Sequence, residues 1–489
     1  MLKHSGALYI DGEWITASTH EAVINPATEA VIGMAPVGDA AAIEAALTAA
    51  RTAFDKGPWP RMTQPQRQAR ISAFLDAIES RAGEIIELII AEAGATRMLA
   101  QFLQYGIPMQ HARTAVELSG RPAITPLPVE TTPNAQGTTT LGGGVQVRDP
   151  AGVVAAITPY NFPFFLNIGK IVPAMLMGCT VILKPSPYTP FQALILAEMA
   201  DVAGLPKGVL NIVTGGKEVG EALTTDPRVD LVSFTGSDTV GSAIQAQSAP
   251  TLKRVLLELG GKSALIVRPD ADIEAAAMAG LMGFTIHAGQ GCALLTRHLV
   301  HNTVRERYTA ILKAMVGHIK LGDPADPATG MGPLIRDVAR QRTERYVEIA
   351  KAEGARLVAG GSRPAGLNKG FFHEPTVFDN VENSHRIAQE EVFGPIGVII
   401  GYDSDDEAIA LANESAFGLS GGIFSADVGR AYEMALQLRT GGVSINGGGG
   451  RMSSYAPFGG IKRSGYGREY GIEGLNEFTT IKTISFKGG

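Results

Sequence analysis

The sequence predicts an α/β protein with parallel β-sheets, and three observations support this fold class. Between residues 153 and 257, short apolar runs typical of buried strands alternate with helical segments. Such alternation is typical of βαβ units, whose strands pair in parallel. A second series of the same kind begins at residue 264. The 489 residues, 45% of them hydrophobic and 18% charged, allow a sizeable core and, at ~150 residues each, about three domains.

The chain before residue 153 is predicted to form a hairpin, several helices and an extended arm. The Asp11-Gly12 turn separates two short strand-like runs, 8–10 and 13–15. Residues 40–54 and 64–95 carry apolar side chains at helical spacing. Four prolines between residues 121 and 147 keep that segment out of helices, so we expect edge-type strands there.

The two alternating series define the remaining elements in order. The first has expected strands at 153–157, 179–183, 209–213, 231–234 and 254–257, with helices at 164–177, 191–203, 219–224 and 238–247. The second has strands at 264–267, 299–300 and 398–400, with helices at 273–283, 304–318, 337–352, 405–413 and 428–438. Residues 479–486 alternate as a strand and are expected to pair with the arm. Right-handed crossovers place the loops after parallel strands at one edge, where ligands bind.

The composition excludes several classes of function. The net charge is −6 and the chain has no basic runs, so nucleic acid and anionic membranes are poor candidate partners. The longest nearly apolar run, 171–183, is shorter than the ~20 residues that a membrane span needs. We therefore expect a cytoplasmic protein with no nucleic-acid partner, no membrane partner and no bound metal. The 59 glycines exceed the usual share of ~7%, which favours loops that approach a ligand closely.

Cys292 is a candidate nucleophile. It follows two glycines in the run 288–292, where a tight turn can present the thiol and backbone N–H groups can hold an oxyanion. A thiolate is a strong nucleophile near neutral pH. The alternative is a buried structural cysteine, which is the commoner case for a free cysteine. We expect Cys179, which lies in an apolar strand, to be of that structural kind.

Glu258 is a candidate general base. It ends a buried strand and lies between two leucines, where desolvation raises the pKa of a carboxyl group towards neutrality. The alternative is a salt-bridged residue at a strand end.

Two loops and one lysine indicate a dinucleotide site. The runs 234–237 and 214–216 each follow a strand and open a helix, and free N–H groups at such helix starts bind phosphate. Neither run is a G-x-G-x-x-G fingerprint, so an ordinary glycine turn is the alternative. Lys184 follows a strand at the same edge and is placed to reach a ribose or phosphate; the alternative is an ordinary surface lysine.

Together these segments resemble the aldehyde dehydrogenase superfamily over nearly the whole chain. The matching motifs are TPYNFP at 158–163, LKPS at 183–186, FTGS at 234–237, LELGGK at 257–262, GQGC at 289–292, EEVFGP at 390–395, and PFGG at 457–460 with SG at 464–465. So many motifs in this order are not expected by chance.

The resemblance implies an NAD(P)-dependent, non-phosphorylating enzyme in which Cys292 attacks the aldehyde carbon. The side-chain amide of Asn161 and the backbone N–H of Cys292 would hold the oxyanion, and hydride transfer to the nicotinamide would leave a thioester. Glu258 would activate the water that hydrolyses the thioester. Lys170 is similar to a lysine that is sometimes placed near this base as a proton relay.

The resemblance also implies the cofactor contacts. Lys184 would bind the adenine ribose, Gly236 and Ser237 the pyrophosphate, and Glu391 and Phe393 the nicotinamide ribose. The full expected set is Ile157, Thr158, Pro159, Tyr160, Lys184, Ser186, Pro187, Gly216, Gly220, Phe234, Thr235, Gly236, Ser237, Val240, Leu259, Gly260, Glu391 and Phe393.

The same resemblance implies three domains. Residues 1–122 and 148–260 would form a Rossmann-like NAD(P)-binding domain, and residues 261–446 a second α/β domain for catalysis. Residues 123–147 and 470–489 would form a small β oligomerisation arm, and residues 447–469 a tunnel-mouth and return segment. The expected assembly is a homodimer or homotetramer.

Two departures from the family pattern concern the cofactor side. Pro187 stands where many NAD-preferring relatives place a glutamate that grips the ribose hydroxyls. Because proline removes a carboxylate that would repel a 2′-phosphate, we expect both NAD and NADP to be used. Tyr160 replaces the tryptophan common before the catalytic asparagine, which is a mild change.

The substrate tunnel is expected to be apolar and roomy. Its expected lining is Phe162, Phe165, Leu166, Gly169, Ile286 and Phe458, for which core packing is the alternative. Gly169 lies where several relatives carry a bulky aromatic, and glycines occupy 447–450 at the expected tunnel mouth. The chain is therefore predicted to take bulky or long hydrophobic aldehydes, aromatic or aliphatic.

Other functions are kept as alternatives. A CoA-acylating semialdehyde dehydrogenase is disfavoured by Glu258, because a water-activating base competes with a thiol acceptor. A cofactor-independent cysteine esterase would leave Lys184 and the phosphate-type loops without a purpose. A catalytically inactive homologue is disfavoured by the presence of Cys292, Glu258 and Asn161 together.

Overall fold

Two large β-sheets and a separate four-stranded sheet organise the chain. A computed structural model describes residues 3–133, 135–449 and 453–487. Gly450, the last of the glycines expected at the tunnel mouth, lies outside these ranges. No helix within these ranges is long and apolar enough to cross a lipid bilayer.

The strands are numbered here in chain order. They are β1 (Ala7–Ile10), β2 (Glu13–Thr16), β3 (Thr19–Ile24), β4 (Val31–Val37), β5 (Ile124–Pro126), β6 (Glu130–Pro133), β7 (Thr139–Pro150), β8 (Val153–Ile157), β9 (Thr180–Lys184), β10 (Leu210–Ile212), β11 (Leu231–Thr235), β12 (Arg254–Glu258), β13 (Ala264–Val267), β14 (Arg297–His301), β15 (Arg356–Ala359), β16 (Thr376–Asp379), β17 (Ile396–Tyr402), β18 (Phe417–Gly418), β19 (Ser420–Phe424), β20 (Gly442–Ile445), β21 (Ile461–Lys462), β22 (Gly465–Tyr466) and β23 (Thr479–Lys487).

The α-helices are numbered in the same way, and a π-helical segment, Leu99–Gly106, precedes the fourth. They are α1 (Ala40–Asp55), α2 (Gln64–Glu79), α3 (Ala82–Ala93), α4 (Ile107–Leu118), α5 (Pro163–Leu176), α6 (Phe191–Val202), α7 (Lys217–Thr225), α8 (Asp238–Ser248), α9 (Ile273–Thr285), α10 (Asn302–Gly317), α11 (Asp337–Ala352), α12 (Arg386–Gln389), α13 (Asp405–Asn413), α14 (Val428–Ala435) and α15 (Gly471–Glu477).

The first sheet has the order β2-β1-β10-β9-β8-β11-β12-β22. Its central strands β10, β9, β8, β11 and β12 run parallel, as the sequence predicted. The chain passes from β8 through β9 to β10 on one side and then continues with β11 on the other side of β8. Such a reversal opens a crevice at the carboxyl ends of the flanking strands, which is where ligands bind in doubly wound sheets.

The core lies on both faces of this sheet. Along β8, Val154 and Ala156 contribute to one apolar cluster, whereas Val153, Ala155 and Ile157 contribute to the other. Because side chains alternate across a strand, a run of small apolar residues is what a strand covered on both faces needs.

The second sheet has the order β15-β16-β17-β14-β13-β19-β20, parallel except for the pair of β15 and β16. The sequence did not predict β19, whose Gly421 and Gly422 have low strand propensity. Here the neighbours fill the space, since a Cβ on Gly422 would lie 2.8 Å from Leu295 Cδ1. The β3–β4 hairpin was also missed, because only three of its thirteen strand residues are buried and they give no alternating pattern.

The arm has the predicted pairing. Strand β23 runs antiparallel to β7 from Thr479 opposite Pro150 to Lys487 opposite Gly142. Strands β5 and β6 also pair with β7. Several large apolar side chains of this sheet are exposed, namely Ile124, Leu141, Ile481, Ile484 and Phe486.

A buried carboxyl group on α3 holds the start of α6. Glu92 is fully buried and accepts hydrogen bonds from the backbone N–H groups of Phe191, at 2.6 Å, and Gln192, at 3.3 Å. Burial raises the pKa of Glu92 to about 8, against the effect of these two N–H donors.

We predict that Glu92→Ala destabilises the protein by about 2–4 kcal/mol, because it leaves two buried N–H groups unpaired beside a cavity. Glu92→Gln is the matched control: it keeps the side-chain volume and an acceptor oxygen for one of the two N–H groups, so it should lose less. Urea unfolding followed by circular dichroism compares the two midpoints. Equal midpoints for both variants would contradict this role.

Candidate active site

The residues expected to bind the cofactor gather at the carboxyl edge of the first sheet. Residues 157–160 begin at the last residue of β8, Lys184 ends β9, and residues 234–237 lead from the end of β11 to the start of α8. Strands β8 and β11 are neighbours, paired from Val154 opposite Leu231 to Ile157 opposite Phe234. The two loops therefore face each other across the crevice where the strand order reverses.

The loop before α8 has the features of a phosphate site. The backbone N–H of Gly236 donates to the carbonyl of Glu258 at 3.0 Å, which fixes the loop to β12. Ser237 is the N-cap residue of α8, and its hydroxyl accepts from the N–H of Val240 at 3.3 Å. Val240 is exposed in the first turn. The N–H of Thr239 donates to Asp238 Oδ1 at 2.8 Å, so side chains already accept from two N–H groups of this turn. The dipole of the helix start still favours an anion there.

Lys184 is a buried cation at the same edge. Among the described residues its ammonium group donates only a long hydrogen bond, 3.3 Å, to the carbonyl of Pro185. Burial lowers the pKa of Lys184 to about 8, and the carboxylate of Glu218 opposes this shift. Gly220 of α7 packs against the lysine, since a Cβ there would lie 3.8 Å from Lys184 Cδ. A buried ammonium with so little pairing suits a polar ligand group.

Pro187 and Ser186 complete this end of the crevice. The hydroxyl of Ser186 accepts from the N–H of Tyr188 at 3.2 Å, which holds the turn after β9. Position 187 offers no carboxylate, so the turn itself presents no negative charge to the ligand.

The loop that carries Glu391 and Phe393 lies at the other end of the cofactor crevice. Glu391 accepts a hydrogen bond from the N–H of Gly261 at 2.9 Å, and burial raises the pKa of Glu391 to about 7. The ring of Phe393 meets that of Tyr160 edge-on, with centroids 6.2 Å apart. Gly261 also touches the backbone carbonyl of Cys292. The cofactor crevice and the cysteine therefore share a wall.

A strained turn presents Cys292. After α9 the chain passes through His287 and Ala288, both in the left-handed region with φ of 51° and 53°. Gly289 continues this turn with φ of 75° and packs against the carbonyl of Gly394. Non-glycine residues in this region cost free energy and persist where the surrounding structure holds them.

Gln290 holds the turn in place. Its side chain donates to the carbonyl of His287 at 3.0 Å and accepts from the N–H of Ile335 at 3.0 Å. Its backbone carbonyl accepts from the side-chain amide of Asn161 at 2.8 Å. The sequence did not single out Gln290 as a supporting residue.

Asn161 is bound to the turn that leads to Cys292. It is 4% exposed, and its backbone carbonyl accepts from the side chain of Gln104 at 3.1 Å. An amide has two N–H donors, and one of them is engaged with Gln290, two residues before Cys292. Burial, together with the carboxylates of Glu391 and Glu258, raises the pKa of Cys292 to about 12.

Cys179 is a buried cysteine, as the sequence predicted. It is fully buried, and its thiol donates to the carbonyl of Phe478.

Glu258 is a buried carboxyl group with neither oxygen paired among the described residues. Burial and the neighbouring carboxylate of Glu469 raise the pKa of Glu258 well above its usual value, while Lys170 and Arg468 oppose the shift. A Cβ on Gly459 would lie 2.6 Å from Glu258 Oε1. The carboxyl group is thus held between the end of β12 and the return segment.

Lys170 pairs with a residue that the sequence did not predict. Its ammonium group lies 2.5 Å from Glu469 Oε1 and donates to the hydroxyl of Ser233 at 3.0 Å. Both Lys170 and Glu469 are buried. Glu469 follows β22, which pairs with β12 so that Gly465 lies opposite Glu258. No local pattern marks Glu469, because only the return of the chain to the first sheet brings it there.

The side chains expected to line the tunnel are all half-buried. These are Phe162, Phe165, Leu166, Ile286 and Phe458. The neighbouring Phe164 is fully buried in the core instead. Half-burial of a run of large apolar side chains is what the wall of an open cavity requires.

The prediction of open space beside Gly169 is wrong. The ring of Tyr470 occupies this place, since a Cβ on Gly169 would lie 2.8 Å from the Tyr470 hydroxyl and 3.2 Å from Cε1. The aromatic group that the sequence lacks at position 169 is supplied from position 470. No motif could reveal this exchange, because the two residues meet only in the folded chain.

Comparisons with known proteins agree with this geometry. The sequence profile described as "Aldehyde dehydrogenase family" matches residues 14–484. The 3-succinoylsemialdehyde-pyridine dehydrogenase of a Pseudomonas species is 40% identical, over 97% of this chain and 97% of that protein.

Solved structures give the same result. An aldehyde dehydrogenase of Mycobacterium tuberculosis with NAD+ is 40% identical, with a TM-score of 0.91, over 98% of this chain and 97% of that one. A cysteine-to-alanine mutant of aldehyde dehydrogenase C from Pseudomonas syringae, with NAD+ and octanal, is 37% identical, with a TM-score of 0.92, over 98% and 96%. The resemblance inferred from the motifs is confirmed, and the chain belongs to the aldehyde dehydrogenase family.

Proposed function

We propose that this chain oxidises a hydrophobic aldehyde to its carboxylate with NAD, through a covalent adduct on Cys292. The observation that carries the proposal is the place of Cys292 at the edge of the cofactor crevice, where the charge of Glu258 acts on the thiol and Asn161 binds the turn two residues earlier. The nucleophile, an amide donor and a buried base are the groups that acyl chemistry on a thiol needs.

Asn161 and the Cys292 loop prepare the first step. The Cys292 thiol gives its proton to water, the sulfur then bonds to the aldehyde carbon, and the electron pair of the C=O bond moves to the aldehyde oxygen as negative charge. The second N–H of the Asn161 amide and the backbone N–H of Cys292 are the donors for this oxyanion. Because Gln290 holds both Asn161 and the turn, the donors are positioned before substrate arrives.

Glu258 acts as the general base in the last step, hydrolysis of the thioester. When bound, NAD supplies the hydride acceptor whose action turns the Cys292 adduct into a thioester. Glu258 takes a proton from water, which then attacks the thioester carbon and releases the carboxylate. A raised pKa makes the Glu258 carboxylate a stronger base than an exposed one. The Lys170–Glu469 pair adjusts this basicity, and we propose Lys170 as a positioning residue for Glu258.

The residues present fit an NAD(P) molecule. The helix start at Gly236 and Ser237 favours phosphate, the sparsely paired Lys184 ammonium favours ribose hydroxyls, and Glu391 has a second carboxylate oxygen available for the other ribose. Relatives of known structure hold NAD+. The expected contacts at Thr158, Thr235, Leu259 and Gly260 lie at the same carboxyl edge.

The experiment that tests the proposal is an aldehyde panel assayed by nucleotide reduction with NAD and with NADP. Carboxylate formation with stoichiometric NADH supports it. Ester hydrolysis that does not respond to NAD(P), or activity that requires coenzyme A, would replace it with the esterase or the acylating function.

The same assay tests the role of Pro187. Since position 187 offers no carboxylate to a 2′-phosphate, we predict that kcat/KM for NAD exceeds that for NADP by less than a thousandfold, roughly 4 kcal/mol. A larger preference for NAD would show that another group excludes the phosphate.

The substrate class follows from the tunnel wall. The half-buried aromatic side chains Phe162, Phe165 and Phe458 favour an aldehyde with an apolar body. The Pseudomonas syringae relative was crystallised with octanal, which is of this kind. Long aliphatic and aromatic aldehydes should therefore have higher kcat/KM than acetaldehyde.

We also propose that the enzyme is a cytoplasmic homo-oligomer. The exposed apolar side chains of the arm form a surface that a second copy of the chain would cover. Cys292 must stay reduced to act, which suits a reducing compartment. Sedimentation velocity distinguishes monomer, dimer and tetramer.

A further inference from the structure

Tyr470 has a backbone conformation that is otherwise almost confined to glycine. Its φ is 61° and its ψ is 171°. In an extended segment successive side chains point to opposite sides, but here two successive side chains contact the same helix. Glu469 pairs with Lys170 and Tyr470 packs against Gly169, which are adjacent residues of α5. Strain of this kind is found where function requires a particular placement.

The phenol ring lies among side chains of the proposed tunnel wall. Its centroid is 5.7 Å from that of Phe165, with the rings nearly perpendicular, and 6.4 Å from that of Phe458. On another side it lies 4.7 Å from the ring of His111. The ring therefore forms part of the same wall and fills the place beside Gly169.

The hydroxyl group of Tyr470 is buried and has no hydrogen-bond partner among the described residues. Buried hydroxyl groups in folded proteins nearly always have a partner. A phenylalanine would fill the same space without this cost. Because the Tyr470 ring, unlike that of Tyr105, packs against the side chains of the proposed tunnel wall, the partner of its hydroxyl can arrive with the ligand. Burial and the charges of Glu469, Glu258 and Cys292 raise the pKa of Tyr470 well above its usual value. The group is therefore a neutral donor at any working pH.

We propose that Tyr470 determines substrate specificity, its hydroxyl donating a hydrogen bond to a neutral acceptor atom in the body of the aldehyde. Ring nitrogen and ketone or ether oxygen are acceptors of this class. An anionic tail is disfavoured, because Glu469 and Glu258 lie close enough to Tyr470 for their charges to raise its pKa. This inference rests on the proposed aldehyde oxidation and narrows its substrate class.

The test is Tyr470→Phe, which removes the hydroxyl and keeps the ring. The substrates are benzaldehyde and its isosteres pyridine-3-carboxaldehyde and pyridine-4-carboxaldehyde, assayed with NAD. For each enzyme the ratio of kcat/KM for the pyridine aldehyde to that for benzaldehyde is taken. Because the intrinsic reactivities of the aldehydes cancel between enzymes, any change in this ratio reports the hydrogen bond. We expect the ratio to fall about tenfold for at least one isomer.

Two further variants test whether a change in this ratio is specific to the Tyr470 hydroxyl. Tyr105→Phe is the matched control, since its hydroxyl is also buried without a partner and its ring stacks on Phe164; its ratios should equal those of the parent. Gly169→Ala keeps the hydroxyl but places a methyl group against it, so it should lower the same ratio as Tyr470→Phe. Thermal unfolding checks that each variant is folded.

Unchanged ratios for both isomers in Tyr470→Phe would overturn the proposal, as would an equal fall in the Tyr105→Phe control. Failure of the parent enzyme to reduce NAD with any of the aldehydes would instead overturn the proposed function.

Discussion

Replacing Cys292 with serine is expected to lower kcat for aldehyde oxidation by on the order of 10⁴-fold or more. The covalent step needs a soft, ionisable nucleophile, and a serine hydroxyl is a far weaker one at neutral pH. The change is nearly isosteric, so the turn held by Gln290 should survive. The measurement is NADH formation under saturating aldehyde and NAD.

The matched control is Cys179→Ser, which changes the second cysteine in the same way. Cys179 is buried in the core, so its replacement should lower the unfolding temperature while folded protein keeps its kcat. If the Cys292→Ser variant kept more than a few per cent of the parent's turnover, Cys292 would not be the nucleophile. Equal losses in both variants would point to general misfolding instead.

Replacing Glu258 with glutamine is expected to lower steady-state turnover by about 10²–10⁴-fold, the usual contribution of a general base. The amide cannot accept a proton from water, so the thioester accumulates after one turnover. Rapid mixing should therefore show a burst of one NADH per active site followed by a slow phase. A variant that lost the burst as well as turnover would place Glu258 in the first step.

Glu258 also determines whether the turnover of the parent enzyme rises or falls with pH. The pKa of Glu258 is raised, so the basic form is lost as the pH falls through a value well above that of an ordinary glutamate. Turnover should fall on that acidic side, and Glu258→Gln should remove this limb. In Glu469→Gln the limb should move to lower pH, because one cause of the raised pKa is gone.

Much of the fold could be predicted because each buried strand of the first sheet is a short apolar run between helices. Strands such as β8 and β12 need no distant information to be recognised. The β3–β4 hairpin and β19 differ, since the first buries few of its residues and the second is rich in glycine. What makes these segments strands is pairing and packing with residues far along the chain, which no local pattern contains.

The residues of the candidate site also fall into two groups, those that the sequence predicted and those that it did not. Cys292 and Glu258 lie in runs whose local chemistry is readable, whereas Asn161 was assigned through the family resemblance. In the structure the charge of Glu258 acts on Cys292, and Asn161 binds the turn before it. Glu469 and Tyr470 were not predicted, because their roles depend on contacts with Lys170 and Gly169. The glycine at position 169 indicated empty space only because its partner across the tunnel wall was not yet known.

The return of the chain through β22 has a consequence for protein synthesis. Ribosomes make the chain from its amino end, and early domains fold first. The nucleophile and the base emerge well before residues 465–470, which cover Glu258, pair with Lys170 and complete the wall at Gly169. Until that stretch docks, β12 keeps an unpaired edge at Glu258. A nascent or truncated chain therefore holds a thiol and a carboxylate without a finished catalytic pocket, so that reactivity is acquired only by chains long enough to continue into the arm.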